Sequence, residues 1–194
     1  MADYEVFKQI LKGRLSEKRY YHSLCVADEA KRLAEKYGGD KERAYLAGLL
    51  HDITKNAPDG EHLQLFSRFG IMLNDIEKNA KKLWHAISGA VYVRSVLGIE
   101  DEEMTDAIRY HTTAKANMSL LAKILYLADF TSADRDYDDV DVIRRYVDES
   151  LDKAFLYALQ YSIEDLVKNG KAVHEDTVEA YNEVVLKLAL QEEK

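Results

Sequence analysis

A histidine and an aspartate stand side by side in this chain, at the end of an apolar helical run. His51 and Asp52 follow Gly48–Leu50, His22 lies upstream, and Asp129 closes a later apolar run. Two imidazoles and two carboxylates held on helices can close around one divalent ion, and such a mixed set of nitrogen and oxygen ligands suits iron, manganese, cobalt or zinc. These residues predict a site for one or two divalent transition-metal ions, with metal-assisted hydrolysis as its chemistry.

Each member of this group also has an ordinary structural explanation. A lone His-Asp pair is common by chance, and His51 could be a core-edge histidine beside a solvated aspartate. His22 could likewise lie at the edge of the core, and Asp129 could point to water. The apolar approach at 122–128 argues against the last explanation, because burying an unpaired carboxylate is costly. A single metal site explains all of these residues together, whereas the structural explanations require three independent coincidences.

Further histidines lie between and after these motifs. His85 begins a predicted helix and His111 ends one, so either could bind a second metal, contact phosphate oxygens or serve as a buried structural residue. His62 lies among polar residues and is expected on the surface. His174 could border a nucleotide pocket or simply precede the last helix.

The elements that would position these residues are predicted to be helical throughout. Proline occurs once and glycine nine times in 194 residues, and apolar residues recur at spacings of three and four. No alternating strand pattern and no composition break occurs, which predicts one all-α domain over 1–194. Ser16, Asp40, Asp101 and Ser119 are expected to be N-caps. Helices are expected at about 16–37, 41–52, 61–69, 83–97, 102–111, 120–130, 142–147, 152–169 and from 175 or 176 onward, with a loop at 131–141.

Composition narrows the class of protein. Hydrophobic residues make up 47% of the chain and charged residues 32%, as in a folded globular domain. No apolar stretch approaches the roughly 20 residues of a spanning helix, and the N-terminus lacks a secretion signal, so we expect no membrane association. The single cysteine, Cys25, excludes an internal disulfide and fits a reducing cytoplasm.

The charge of the chain bears on its partners. The formal net charge of −8 disfavours duplex nucleic acid, whereas a small phosphorylated ligand stays compatible with a local basic pocket or a metal. A helical surface could also support a homodimer.

Several segments of the chain resemble a known enzyme superfamily. They are Arg19–Leu24 (RYYHSL), Gly48–Lys55 (GLLHDITK), Ala107–Thr113 (AIRYHTT) and Lys123–Asp129 (KILYLAD). The order His, His-Asp, Asp, with two histidines in between, resembles the HD superfamily of metal-dependent phosphohydrolases. The surrounding residues are similar to its YqeK group, bacterial HD-type enzymes that cleave diadenosine tetraphosphate symmetrically. The similarity covers nearly the whole chain and departs at Glu175, where the group usually has proline.

This resemblance implies a compact helical HD-domain bundle with its metal site in a cleft between helices. The implied HD core spans about 17–135, and C-terminal helices at 142–193 pack on it. The implied reaction is hydrolysis of diadenosine tetraphosphate to two ADP by metal-activated water, with iron as the first expectation for the cofactor and manganese or cobalt as alternatives. The implied metal ligands are His22, His51, Asp52 and Asp129.

The resemblance also implies which residues touch the nucleotide. The catalytic set is His85, His111, Lys55 and Asp52, with either histidine able to protonate the leaving phosphate. The implied nucleotide contacts are Arg19, His22, Asp52, Ile53, Thr54, Lys55, His85, His111, Thr112, Asp129, Arg135 and His174.

Two other functions stay open on the residues alone. The chain could be an HD-type hydrolase of another nucleotide, such as a deoxynucleotide, a mononucleotide or an alarmone. It could also be a non-catalytic nucleotide-sensing helical module, although the intact set of ligands argues against that.

Overall fold

The structure is a computed structural model that describes residues 4–192. Over this range the chain forms helices joined by turns and short loops, and no strand occurs among these residues, which confirms the predicted all-α class. In chain order the helices are α1 (Tyr4–Arg14), α2 (Glu17–Tyr37), α3 (Lys41–Leu50), α4 (Asp59–Arg68), α5 (Asp75–Asn79), a short 3-10 helix (Lys81–Leu83), α6 (Trp84–Ser95), α7 (Glu102–Tyr110), α8 (Leu120–Thr131), α9 (Val140–Glu149), α10 (Leu151–Lys168) and α11 (Glu175–Glu192).

The helix starts that the sequence indicated carry the expected side-chain caps. Ser16 and Asp40 accept hydrogen bonds from backbone N–H groups in the first turns of α2 and α3. Asp101 and Ser119 do the same for α7 and α8. Such caps satisfy donors that a helix cannot pair internally. The four capping predictions are confirmed.

Two α-helices lie outside the predicted set. Helix α1 buries Leu11 and packs Tyr4, Phe7 and Ile10 against the core, but this apolar stripe extends over only 11 residues. Helix α5 has five residues and depends on a capping box in which Asn74 and Glu77 exchange hydrogen bonds. Neither helix has the long apolar period from which helices are recognised in a sequence.

Helix α8 is the centre of the fold. It packs against α2, α3, α7, α9 and α10, and between Leu121 and Ala128 every side chain except that of Lys123 is buried. Burial of this apolar surface is the main source of stability at the contacts. The helix ends at Thr131, so it carries Asp129 on its last turn. The predicted loop after it is shorter than expected, because α9 already begins at Val140.

The C-terminal helices continue the same core. Helix α10 packs against α8, α9 and α11. Phe155 and Leu159 of α10 and Ala180 and Val184 of α11 belong to one hydrophobic cluster with the α8 side chains. Between residues 4 and 192, no helix is both long enough and apolar enough to span a bilayer.

Candidate functional site

Three separate helices bring the predicted ligands together. His22 lies within α2, His51 and Asp52 follow α3 directly, and Asp129 lies on the last turn of α8. Nε2 of His22 is 2.9 Å from Oδ1 of Asp129, and Nε2 of His51 is 4.0 Å from the same oxygen. Nε2 of His51 also lies 3.4 Å from Oδ2 of Asp52. His51 therefore lies between the pair of His22 and Asp129 on one side and Asp52 on the other.

The polar atoms at this point suit a cation. Nε2 of His22, Nε2 of His51 and Oδ1 of Asp52 are buried and accept or donate no hydrogen bond among the described residues. Leaving buried polar atoms unpaired is costly, so an ion that pairs with them would remove a penalty. Ligand atoms of His22, His51 and Asp129 all lie within 4.8 Å of one another, as do those of His51, Asp52 and His111. This His/Asp cluster fits a divalent metal ion.

Two of the imidazoles, those of His51 and His111, place Nδ1 against a backbone carbonyl oxygen. Nδ1 of His51 lies 2.7 Å from the carbonyl oxygen of Gly48, and Nδ1 of His111 lies 2.7 Å from that of Ile108. In each ring this contact favours the proton on Nδ1 and leaves Nε2 free to face the cluster.

For His22, the acceptor at Nδ1 is the side chain of Asp134. Its Oδ2 atom lies 2.8 Å from Nδ1 of His22, and its Oδ1 accepts a hydrogen bond of 2.8 Å from Ser132. Burial would raise the pKa of the Asp134 carboxyl, but Ser132 and His22 outweigh burial and lower this pKa. Sequence reasoning missed this residue, and its only signal was its place in an aspartate-rich loop directly after α8.

His85 and His111 extend the cluster on the side of Asp52. Nε2 of His85 lies 3.2 Å from Nε2 of His111 and 3.1 Å from Oδ1 of Asp52. Nε2 of His111 lies 3.7 Å from the same oxygen. Burial lowers the pKa of His85 to about 4, although Asp52 opposes this shift. His85 is therefore neutral at pH 7.

Basic side chains flank both carboxylates. Arg19 donates from Nη1 to Oδ2 of Asp52 at 2.8 Å, and Nζ of Lys55 lies 3.8 Å from Oδ1 of that residue. Arg135 donates from Nε to the carbonyl oxygen of Asp129 at 2.7 Å and pairs with its carboxylate. The site is thus locally rich in cations, although the whole chain carries a net charge of −8.

These charges set the protonation of the site. Burial would raise the pKa of Asp52, but the neighbouring imidazoles of His51, His111 and His85 hold it well below its ordinary value. For Asp129, burial would likewise raise the pKa, but Arg135, His22 and His51 together outweigh it and hold the pKa well below its ordinary range. Both aspartates are therefore ionised at neutral pH and available to a cation.

The other predicted nucleotide contacts differ in accessibility. Ile53 and Thr54 are fully buried, and the Thr54 hydroxyl donates to the carbonyl oxygen of His85 at 2.9 Å. Thr112 is half-buried, and its hydroxyl has no hydrogen-bond partner within the described part of the chain. The Thr54 side chain therefore holds the backbone of His85, whereas the Thr112 hydroxyl is unpaired among residues 4–192.

The predicted surface position of His62 is wrong. The side chain is buried, and its Nδ1 lies 2.7 Å from the Ser88 hydroxyl, which lies 2.8 Å from the hydroxyl of Thr54. The ring packs beside Phe66 and Trp84. Polar neighbours in sequence suggested exposure, but a partner on α6 satisfies the imidazole inside the protein.

His174 lies in a different polar cluster. Its Nε2 is 3.1 Å from the amide nitrogen of Asn74, and its Nδ1 accepts from the backbone N–H of Asp176. The same ring lies 3.7 Å from Glu77, whose carboxylate pairs with Arg109. Among the hydrogen bonds and ion pairs of residues 4–192, none joins His174 to the four predicted ligands. Its contact with a nucleotide stays a prediction.

The chain is similar to proteins of one known family. The model of the HD domain family matches residues 19–134. A protein of Halalkalibacterium halodurans named symmetrical bis(5'-nucleosyl)-tetraphosphatase is 38% identical, with 92% of this chain and 95% of that protein covered. A Bacillus subtilis protein of the same name is 35% identical, with 90% and 94% covered.

A solved structure has a similar fold. The crystal structure of a Clostridium acetobutylicum protein, described as a predicted HD superfamily hydrolase involved in NAD metabolism, superposes with a TM-score of 0.92. It is 38% identical, and the match covers 96% of this chain and 99% of that one. These matches confirm the resemblance to the HD superfamily that the motifs indicated. The chain belongs to the HD domain family, in the group that contains the symmetrical bis(5'-nucleosyl)-tetraphosphatases.

Proposed function

We propose that this protein hydrolyses diadenosine tetraphosphate to two molecules of ADP in a metal-dependent reaction. It is a hydrolase of phosphoanhydride bonds. The observation that carries the proposal is that His22, Asp129 and Asp52 all lie close to His51, where three buried polar atoms have no hydrogen-bond partner among residues 4–192. The activity named for relatives that match over nearly the whole chain supports the choice of substrate.

We propose these four side chains as the ligands of a divalent transition metal, with iron first and manganese or cobalt as alternatives. The mixed nitrogen and oxygen set supports this group of metals. The second group of residues that could hold an ion shares His51 and adds His111, so the site could take one ion or two. When bound, the metal would lower the pKa of a water molecule and polarise the phosphoanhydride.

The basic side chains are proposed to bind the polyphosphate. Arg19 and Lys55 lie beside Asp52, whereas Arg135 lies beside Asp129 at the other carboxylate. Cations on both sides of the ligand cluster suit a long polyphosphate laid across it, because phosphoryl transfer needs charge neutralisation and alignment more than covalent help. Arg135 can grip phosphate oxygens with two parallel hydrogen bonds, and Lys55 acts as a point charge.

The neighbouring polar groups are proposed to complete the nucleotide site. His85 and His111 lie beside Asp52, where either could supply the proton that the departing ADP requires. The backbone of Ile53 and Thr54 and the side chain of Thr112 are proposed to contact the nucleotide. His174 is proposed to border its pocket.

The domain organisation, oligomeric state, location and partners of the protein are also proposed. We propose an HD core at about 17–135 with the C-terminal helices packed on it, and a helical surface that could support a homodimer. Leu186 and Leu190, which are exposed one turn apart on α11, support the latter. The single half-buried cysteine, Cys25, supports a cytoplasmic location. The negative net charge argues against duplex nucleic acid as a partner.

A nucleotide panel tests the proposal. The purified protein is incubated with diadenosine tetraphosphate, a deoxynucleoside triphosphate, a nucleoside monophosphate and a guanosine alarmone, and all products are identified. ADP as the only product of diadenosine tetraphosphate, with slower turnover of the other compounds, is expected. AMP plus ATP would contradict symmetric cleavage. Tight binding of ADP without turnover of any compound would favour a nucleotide-sensing module.

A further inference from the structure

Asp134 stands apart from the other acceptors that orient the site histidines. His51 and His111 place Nδ1 against backbone carbonyl oxygens, which are neutral and fixed by the helix that carries them. His22 places Nδ1 2.8 Å from a side-chain carboxylate on a loop, Oδ2 of Asp134. Of these three imidazoles, His22 is the one whose orientation depends on a charged side chain.

The contact places a proton on Nδ1 of His22. A carboxylate oxygen can only accept, so Nδ1 donates to Asp134, and Nε2 is the nitrogen left to bind an ion. Nε2 faces Oδ1 of Asp129 at 2.9 Å. At this distance a lone pair on Nε2 and the carboxylate repel each other unless a proton or a metal cation lies between them. Asp134 therefore prepares His22 to share an ion with Asp129.

The carboxylate of Asp134 is itself held in place. Ser132 donates to its other oxygen, Oδ1, at 2.8 Å. Only about a fifth of the Asp134 side chain is exposed (19%), so water competes weakly for the His22 contact. The next residue, Arg135, pairs with Asp129, so one short loop supports both His22 and Asp129.

We propose that Asp134 is a positioning residue of the metal centre, which fixes the tautomer and ring orientation of His22 and strengthens its Nε2 as a ligand. The inference rests on the proposed metal site but assigns a role to a residue outside the ligand set. A carboxylate behind a metal-binding imidazole commonly accounts for 10–100-fold in metal affinity. The same range is expected here.

The test measures metal binding directly. Metal-free protein is titrated with Co²⁺ against a chromophoric chelator, and the visible absorption of the bound Co²⁺ is recorded. Asp134→Ala should raise the Kd for Co²⁺ by about 10–100-fold and change the visible spectrum. Asp134→Asn, which keeps an acceptor but not the charge, should fall between wild type and Asp134→Ala. Asp136→Ala is the matched control, because Asp136 is an exposed carboxylate on the same loop.

The outcomes separate this inference from the proposed function. His22→Ala should weaken Co²⁺ binding at least as much as Asp134→Ala. If His22→Ala binds Co²⁺ like wild type, the ligand assignment fails and the role of Asp134 fails with it. If His22→Ala loses affinity while Asp134→Ala matches Asp136→Ala in Kd and spectrum, only the positioning role is overturned. Where circular dichroism shows Asp134→Ala unfolded, Asp134→Asn decides, and a wild-type Kd would overturn the proposal.

Discussion

A Cβ atom built on Gly48 would lie 2.7 Å from the α carbon of Ala27, a distance that side chains do not reach. Helix α3 therefore approaches α2 so closely that only glycine fits at position 48. His51 follows shortly after Gly48, and His22 lies just over one turn before Ala27 on α2. The close contact between these helices is one reason why both imidazoles reach the same carboxylate, Asp129.

Gly48→Ala should destabilise the protein. The added methyl group meets backbone atoms of Ala27 and Val26, which cannot move aside as a flexible side chain can. Overpacking of this kind costs about 1–3 kcal/mol in the free energy of unfolding. Gly13→Ala is the control, because Gly13 lies within α1 with nothing within 4 Å of its added Cβ, and it should stabilise by about 0.5–1 kcal/mol. Urea unfolding measures both, and equal stabilities of the two variants would refute the packing argument.

Asp129→Ala and Asp52→Ala should each remove bound metal and turnover together. Both carboxylates lie within 4.0 Å of Nε2 of His51, so the loss of either opens the ligand set. Elemental analysis and an ADP-release assay on the same preparation check this prediction. Asp138→Ala, an exposed carboxylate after α8, should keep both properties. Full activity in Asp129→Ala would rule out its assigned role as a ligand.

Lys55→Met should lower kcat/KM without removing the metal. The variant keeps most of the side-chain length but loses the charge proposed to neutralise phosphate. Loss of one such stabilising group in a water-poor site costs about 100-fold in rate. Steady-state kinetics and metal analysis are measured together, with Lys18→Met on the exposed face of α2 as control. Loss of metal from Lys55→Met, or unchanged kcat/KM, would argue against phosphate binding by this residue.

The pairing of Asp101 with Arg43 should make stability depend on pH. Arg43 donates to both oxygens of Asp101, at 2.8 and 2.7 Å, and lowers the pKa of that carboxyl. A lowered pKa in the folded state contributes stability above the unfolded pKa, and this contribution disappears as pH falls through the folded pKa.

Asp101→Asn keeps a capping side chain on α7 but loses the charge. In the metal-free protein it should cost about 0.5–1 kcal/mol at pH 7, because the partners are partly exposed. The difference from wild type should stay constant down to about pH 5 and shrink below about pH 4. Urea unfolding across this range measures it. A difference that grows towards low pH would have the wrong sign for this ion pair.

The helices with local signals were predictable from the sequence. The caps Ser16, Asp40, Asp101 and Ser119 mark helix starts through their own backbone contacts, so a short window of sequence contains the relevant interactions. The four proposed metal ligands were also recognisable as a group, because their order along the chain matches a family pattern.

Contacts between distant segments were not predictable in the same way. His62 is buried because Ser88 accommodates its imidazole, and Asp134 matters because it meets His22 across the fold. Nothing in the residues around His62 or Asp134 indicates these partners. These contacts depend on how α2, α6 and α8 pack together, and the residues next to His62 or Asp134 in the sequence do not indicate that packing.

One combined measurement on an anaerobic preparation tests the central claim, that side chains from separate helices hold a cation beside a phosphate and thereby activate hydrolysis. Bound metal is quantified by elemental analysis, and the products of diadenosine tetraphosphate are identified in the same sample before and after chelation. We predict a bound transition metal, ADP as the only nucleotide product, and turnover that rises and falls with metal content. Full turnover by metal-free protein, or AMP and ATP as products, would contradict the account.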